Sequence, residues 1–124
     1  MTHILVVDDD DDVRGVLVTM LEEHGFRTTA ANSGVSMREV LAGDGLPVDA
    51  VVLDWSMPGE LGPDLARHAE SLHLAVVMIS GSLDAMQFAD ENGLQLLAKP
   101  FQSTDLIAAI KKALSSRQFG QRDA

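Results

Sequence analysis

Short apolar runs punctuate the chain: Ile4-Leu5-Val6-Val7, Ala50-Val51-Val52-Leu53 and Ala75-Val76-Val77-Met78-Ile79. Each is rich in β-branched residues and lacks polar alternation, the pattern of a strand buried on both faces in a helix-covered parallel sheet. Two weaker runs join them. One extends from Leu94 to Leu97 and is interrupted by Gln95; the other, from Arg27 to Ala31, reads as a short edge strand. Between the runs the period becomes helical. Val13, Val16, Leu17, Met20 and Leu21 share one stripe. Asp10 to Asp12 open that helix where the macrodipole favours negative charge, and Gly25 supplies a left-handed stop. Leu106, Ile107, Ile110 and Leu114 form a second stripe, with Ser103 or Thr104 available as N-cap and Lys111 and Lys112 near its C-terminal end. Less marked helices are expected from Val35 to Leu41, Leu61 to Leu72 and Leu83 to Glu91. Strand and helix alternate five times, which predicts an open, mostly parallel α/β sheet.

Composition narrows the function classes. A chain of 124 residues, 46% of them hydrophobic, is sized for one domain with a real core. We expect that domain over residues 1–117 and a flexible polar tail over 118–124. The absence of cysteine excludes disulfides, a thiol nucleophile and a thiolate zinc site. Nine Lys+Arg against 19 Asp+Glu give a net charge of −10, the wrong sign for holding nucleic acid or an anionic membrane by electrostatics. The longest apolar run, Ala75 to Ile79, falls far short of the ~20 residues that span a bilayer. No secretory signal opens the chain, so a soluble cytoplasmic protein is expected.

Open α/β sheets bind ligands at the carboxyl ends of their strands, near the point where strand order reverses. There the sequence places Asp8 and Asp9 after the first strand and Asp54 after the third. Ser80 follows the fourth strand, and Lys99-Pro100 the fifth. Clustered carboxylates repel by roughly 4 kcal/mol per pair at ~4 Å and an effective dielectric near ~20. Core packing requires no such arrangement. A divalent cation among the acids, with Lys99 beside them, makes it tolerable. Oxygen-only ligands and few carboxylates point to magnesium over calcium. His3, His24, His68 and His73 show no metal-ligand spacing, Met20 and Met78 fall in apolar patterns expected in the core, and no glycine fingerprint for dinucleotides or nucleoside triphosphates is present.

The set Val7-Asp8-Asp9, Asp54-Trp55-Ser56-Met57-Pro58 with Gly62, Ile79-Ser80-Gly81 and Lys99-Pro100-Phe101 resembles the receiver domain of two-component response regulators, from about residue 3 to residue 115. The resemblance implies a flavodoxin-like, doubly wound five-stranded parallel sheet of order 2-1-3-4-5 flanked by five helices. It implies Asp54 as the phosphoacceptor, taking a phosphoryl group from a sensor histidine kinase or a histidine phosphotransfer protein. Asp9 would bind Mg2+ directly and Asp8 through water, with Asp54 and the backbone carbonyl of Ser56 completing the protein ligands. Lys99 would neutralise phosphoryl charge, Ser80 would donate its hydroxyl to the phosphoryl group, and Pro100 would follow Lys99 through a cis bond. An unknown downstream protein would dock on the face from Leu83 to Ser116, and the chain would act as a single-domain form, a monomer or a weak dimer. The family couples phosphorylation to an aromatic residue three positions before the lysine. Leu96 stands there, and the sequence offers no evident substitute.

Separately, each feature has a plainer reading. Asp10, Asp11 and Asp12 read as helix-capping acids, Asp54 alone as a loop acid, Ser80 alone as a capping hydroxyl, and Trp55 as packing or as shaping access to Asp54. Their joint occurrence at four strand ends carries the site. Three other classes compete. A metal-dependent phosphohydrolase with an aspartyl-phosphate intermediate needs a second aspartate two residues after its nucleophile, where this chain has Ser56. We therefore expect no enzyme, only slow self-dephosphorylation. A phosphorylation-independent adaptor is opposed by the retained acids, serine and lysine. A flavin module is opposed by the lack of Tyr and the single Trp.

Overall fold

A computed structural model of the chain describes residues 1–59 and 61–123, with side chains through 116. The tail expected over 118–124 lies outside those fully described residues. The strands are β1 (His3–Val7), β2 (Arg27–Ala31), β3 (Ala50–Asp54), β4 (Ala75–Ser80) and β5 (Gln95–Ala98). The helices alternate with them as α1 (Asp11–Glu23), α2 (Gly34–Ala42), α3 (Gly62–Ser71), α4 (Leu83–Asn92) and α5 (Ser103–Asp123). All strand pairs are parallel, in the order β2-β1-β3-β4-β5. Strand order reverses at β1, so the crevice beyond the ends of β1 and β3 is the topological switch point.

The three continuous apolar runs become the three central strands, every residue of which is buried. Alternation splits them between two cores. Ile4, Val6, Val52, Val77 and Ile79 meet Leu17 and Leu21 of α1 and Leu106 and Ile110 of α5. On the opposite face, Leu5, Val7, Val51, Leu53 and Met78 meet Met37 of α2 and Leu65, Ala66 and Ala69 of α3. Burying both faces leaves the carboxyl edge as the place where polar groups meet water. Among the described residues no helix is long and apolar enough to cross a membrane.

Local chemistry sets the element ends. Asp10 is the N-cap of α1, its Oδ1 accepting the N–H groups of Asp12 at 2.9 Å and Val13 at 3.1 Å. Gly25 adopts φ 91° just past the helix, the left-handed stop expected of it. The start of α5 departs from expectation. Its helical residues begin at Ser103, and Gln102 takes the capping place. The Asp105 carboxylate reaches back to accept the Gln102 N–H at 3.0 Å, so neither Ser103 nor Thr104 is needed as the cap. His3 is buried at the opposite end of the sheet, where Nδ1 donates to the Pro47 carbonyl at 3.0 Å and Nε2 lies 2.7 Å from the Thr29 hydroxyl.

Candidate functional site

The carboxyl edge collects the residues that the sequence placed at the strand ends. Asp8 continues β1, its N–H donating to the Ala31 carbonyl at 3.1 Å, and is 1% exposed. Asp54 closes β3 at 6% and Ser80 closes β4 at 4%. Lys99 follows β5, its N–H donating to the Ser80 carbonyl at 3.2 Å, and the Lys99-Pro100 bond is cis. Asp9 is exposed at the mouth.

One carboxylate oxygen from each of Asp8, Asp9 and Asp54 lies within 4.8 Å of the other two. The Lys99 Nζ stands 3.8 Å from Asp54 Oδ1. That separation leaves the pair attracted but not hydrogen-bonded. Asp54 Oδ1 also faces the Ser56 N–H at 3.4 Å. Asp8 Oδ1 accepts the Asp10 N–H at 2.9 Å, while Asp8 Oδ2 is buried with no hydrogen-bond partner. An orphaned carboxylate oxygen is costly away from water. Asp8 belongs to a cluster of carboxylates, and neither neighbouring acid can donate to its orphaned oxygen when ionised. A hard divalent cation fits this donor set, because it satisfies the orphaned oxygen and offsets the shared charge at once.

The electrostatics agree with that fit. Burial, above all, holds the Asp54 carboxyl above the ordinary carboxylate value; the Asp8 charge adds to this, while Lys99 and the Ser56 N–H oppose it. Asp8 is raised chiefly by burial too, against the Asp10 N–H and Lys99. The site without a cation is therefore a cluster that resists full ionisation.

Two features escaped the sequence. Arg14 donates from one guanidinium nitrogen to the Asp8 backbone carbonyl at 2.9 Å and pairs through the other with Asp11. It thereby ties the β1–α1 loop to its helix. An Asp-x-x-Arg pair on one helical face was the available signal. The second is aromatic. Trp55, next to Asp54, packs against Phe88 of α4 with ring centroids 5.4 Å apart and planes tilted by 48°. The Arg67 guanidinium lies over Phe88, 5.4 Å from its centroid. Leu96 belongs to the same apolar cluster, so an aromatic contact does exist near the site although β5 carries none. Gly62 explains its place in the motif: a Cβ there would stand 3.0 Å from both the Trp55 ring and the Trp55 carbonyl.

The chain as a whole is similar to known proteins. The family profile of the response regulator receiver domain matches residues 4–111. The transcriptional regulatory protein FixJ of Azorhizobium caulinodans is 34% identical over 128 residues, covering 96% of this chain and 59% of that protein. The transcriptional regulatory protein GltR of Pseudomonas aeruginosa is also 34% identical, covering 95% of this chain and 51% of that protein. The chain thus spans about half the length of the curated relatives it matches. A crystal structure of a response regulator receiver domain protein from Clostridium thermocellum superposes with a TM-score of 0.86 at 27% identity, covering 96% of this chain and 98% of that one. With its switch-point cluster of acids and a profile match across most of its length, this chain belongs to the receiver domain family of two-component response regulators.

Proposed function

We propose that the chain accepts a phosphoryl group on Asp54 from the phosphohistidine of a sensor histidine kinase or histidine phosphotransfer protein, with Mg2+ as cofactor, and signals by phosphorylation-dependent protein contact or phosphorelay. The observation carrying this is the convergence of Asp8, Asp9 and Asp54 within 4.8 Å at the switch point, with Lys99 3.8 Å from Asp54. An Asp54 carboxylate oxygen attacks phosphorus as the phosphorus–nitrogen bond breaks. The imidazole keeps the electron pair and later takes a proton, leaving an acyl phosphate. The Lys99 ammonium neutralises charge on the equatorial oxygens during transfer. The Ser80 hydroxyl donates to a phosphoryl oxygen afterwards. Asp9, Asp54 and the Ser56 carbonyl would hold Mg2+, with Asp8 reaching it through water; when bound, the ion supplies charge neutralisation for the phosphoryl group.

With Ser56 where an acid–base aspartate would stand, we expect slow self-hydrolysis and no enzymatic turnover of added phosphomonoesters. We place the chain in the cytoplasm, where ATP-dependent kinases generate phosphohistidine. Its partner face is read from Leu83 to Ser116, where Leu83 and Met86 are exposed large apolar side chains. The net charge of −10 favours a basic protein surface over nucleic acid or membrane. We expect a monomer or weak dimer. Intact-mass measurement after acetyl phosphate and Mg2+ tests the chemistry. We expect one added phosphoryl group on the wild type, none without Mg2+, and none on Asp54→Asn. Equal labelling of Asp54→Asn would refute the assignment.

A further inference from the structure

Among the helices, α4 is held least by its own buried side chains. The others bury Leu17 and Leu21, Met37, Leu65, or Leu106 and Ile110, whereas α4 buries only Ala85 and Ala89. Alanines remove little apolar area from water, so they hold a helix weakly in place. Leu83 and Met86 face solvent. Phe88 is the large apolar side chain by which α4 packs into the body, its ring lying against Trp55, 5.4 Å away between centroids, with the Arg67 guanidinium over it at 5.4 Å.

Trp55 is covalently joined to Asp54 and is held on two further sides. Its N–H donates to the Ile79 carbonyl at 3.0 Å, and Gly62 at the start of α3 lies close against its ring and carbonyl. The N-terminus of α4 is tied to the site by a separate route. Ser80 Oγ accepts the Ser82 N–H at 2.9 Å, and Ser82 Oγ in turn caps the helix by accepting from Ala85 at 3.3 Å. The Ser80 hydroxyl, which under the proposed function donates to a phosphoryl oxygen, is thus also the anchor of the start of α4. We propose that Phe88, through Trp55, is the positioning residue by which the state of Asp54 sets the placement of α4. Leu96 on β5 packs in the same cluster without a ring.

This inference rests on Asp54 being the phosphoacceptor, and its test separates the two ideas. Hydrogen exchange of the α4 amides is followed in the full chain with Mg2+, with and without acetyl phosphate, while intact mass reports phosphorylation of the same samples. In the wild type we expect α4 exchange to change roughly tenfold on phosphorylation, within the usual range of coupling between sites. Phe88→Leu should gain the same mass, yet its α4 response should fall below about twofold, as coupling through the ring contact is lost. Phe88→Tyr, which keeps the ring, should retain the wild-type response, and its loss in a Tyr variant that gains the same mass would also overturn the proposal. Phe88→Met serves in place of leucine if that variant fails to fold. A full α4 response in a phosphorylated Leu or Met variant, or no response in phosphorylated wild type, overturns the proposal. A wild type that gains no mass overturns the reading of Asp54 and this inference with it.

Discussion

At the residue scale the site is a problem in charge, and Asp8 shows it most plainly. One of its oxygens is satisfied by the Asp10 N–H at 2.9 Å, and the other is buried without a partner. A visiting cation would satisfy that oxygen, which the Lys99 ammonium, 3.8 Å from Asp54 Oδ1, does not hydrogen-bond. Lys99 and the proposed cation would thus have separate tasks. Lys99→Ala should slow phosphorylation of Asp54 from acetyl phosphate by about 10²-fold, the scale for losing one preorganised charge or donor. Affinity for Mg2+ should be unchanged or higher, because a like charge has left its neighbourhood. An intact-mass time course measures the first effect, and a Mg2+ titration of Trp55 fluorescence the second. Unaltered kinetics in the alanine variant would remove Lys99 from the mechanism. These residues were legible because each follows an apolar run; Asp8, Asp9, Asp54, Ser80 and Lys99 all lie at the carboxyl edge where the runs placed them.

Legibility at the element scale followed how local the information is. A two-face-buried strand declares itself through composition, so β1, β3 and β4 match their apolar runs closely; β4 adds Ser80 and β3 adds Asp54. The α2, α3 and α4 helices lie within a residue of their expected ends. At α5 the expected cap was wrong because the choice turned on the Asp105 side chain folding back to Gln102, an interaction that periodicity does not encode. Strand order was available only through resemblance, since alternation of strands and helices leaves it open. Trp55 and Phe88 were illegible as a pair. They belong to different elements, and a hydrophobic period shows which face a residue occupies but not what it meets there. Gly62 was visible as part of a motif; its reason was not. A methyl group at its position would meet the Trp55 carbonyl at 3.0 Å, and backbone yields less readily than a side-chain tip. Gly62→Ala should therefore destabilise the fold by about 1–3 kcal/mol, the usual cost of overpacking. It should also alter Trp55 emission in the folded state. Urea denaturation monitored by circular dichroism, together with native-state fluorescence, tests this. A variant as stable as wild type with unchanged emission would mean that α3 slides away without cost.

For the whole molecule, the clustered acids weigh on the fold as well as on the site, because burial holds them against ionisation. Burial raises the carboxyl groups of Asp8 and Asp54 above their ordinary 3.8 in the folded chain. A group raised in this way binds its proton more tightly when folded. Its contribution to stability is fully present below 3.8 and is lost as pH climbs through the raised folded value. At neutral pH without a divalent cation the cluster is therefore a net cost. Asp54→Asn should be more stable than wild type at pH 7 by about 1–3 kcal/mol, because relief of roughly 4 kcal/mol of carboxylate repulsion is partly offset by the lost attraction to Lys99. That gap should narrow as pH falls toward 3.8, where wild-type Asp54 is itself protonated. Comparing the two proteins at each pH cancels the acids remote from the cluster, leaving Asp54 and the Asp8 carboxyl coupled to it. Mg2+ should close the gap from the opposite side, since a ligand at a hundred times its Kd stabilises the folded state by about 2.7 kcal/mol. Because Asp54→Asn lacks one anionic ligand, it should gain less from the ion. Chemical denaturation of both proteins at pH 7, 5.5 and 4.5, with EDTA or with Mg2+, measures these effects. If the asparagine variant were no more stable than wild type in EDTA at pH 7, the three acids would not be repelling one another. The case for a cation drawn in by that repulsion would then fail, even if Asp54 proved to be the phosphorylated residue.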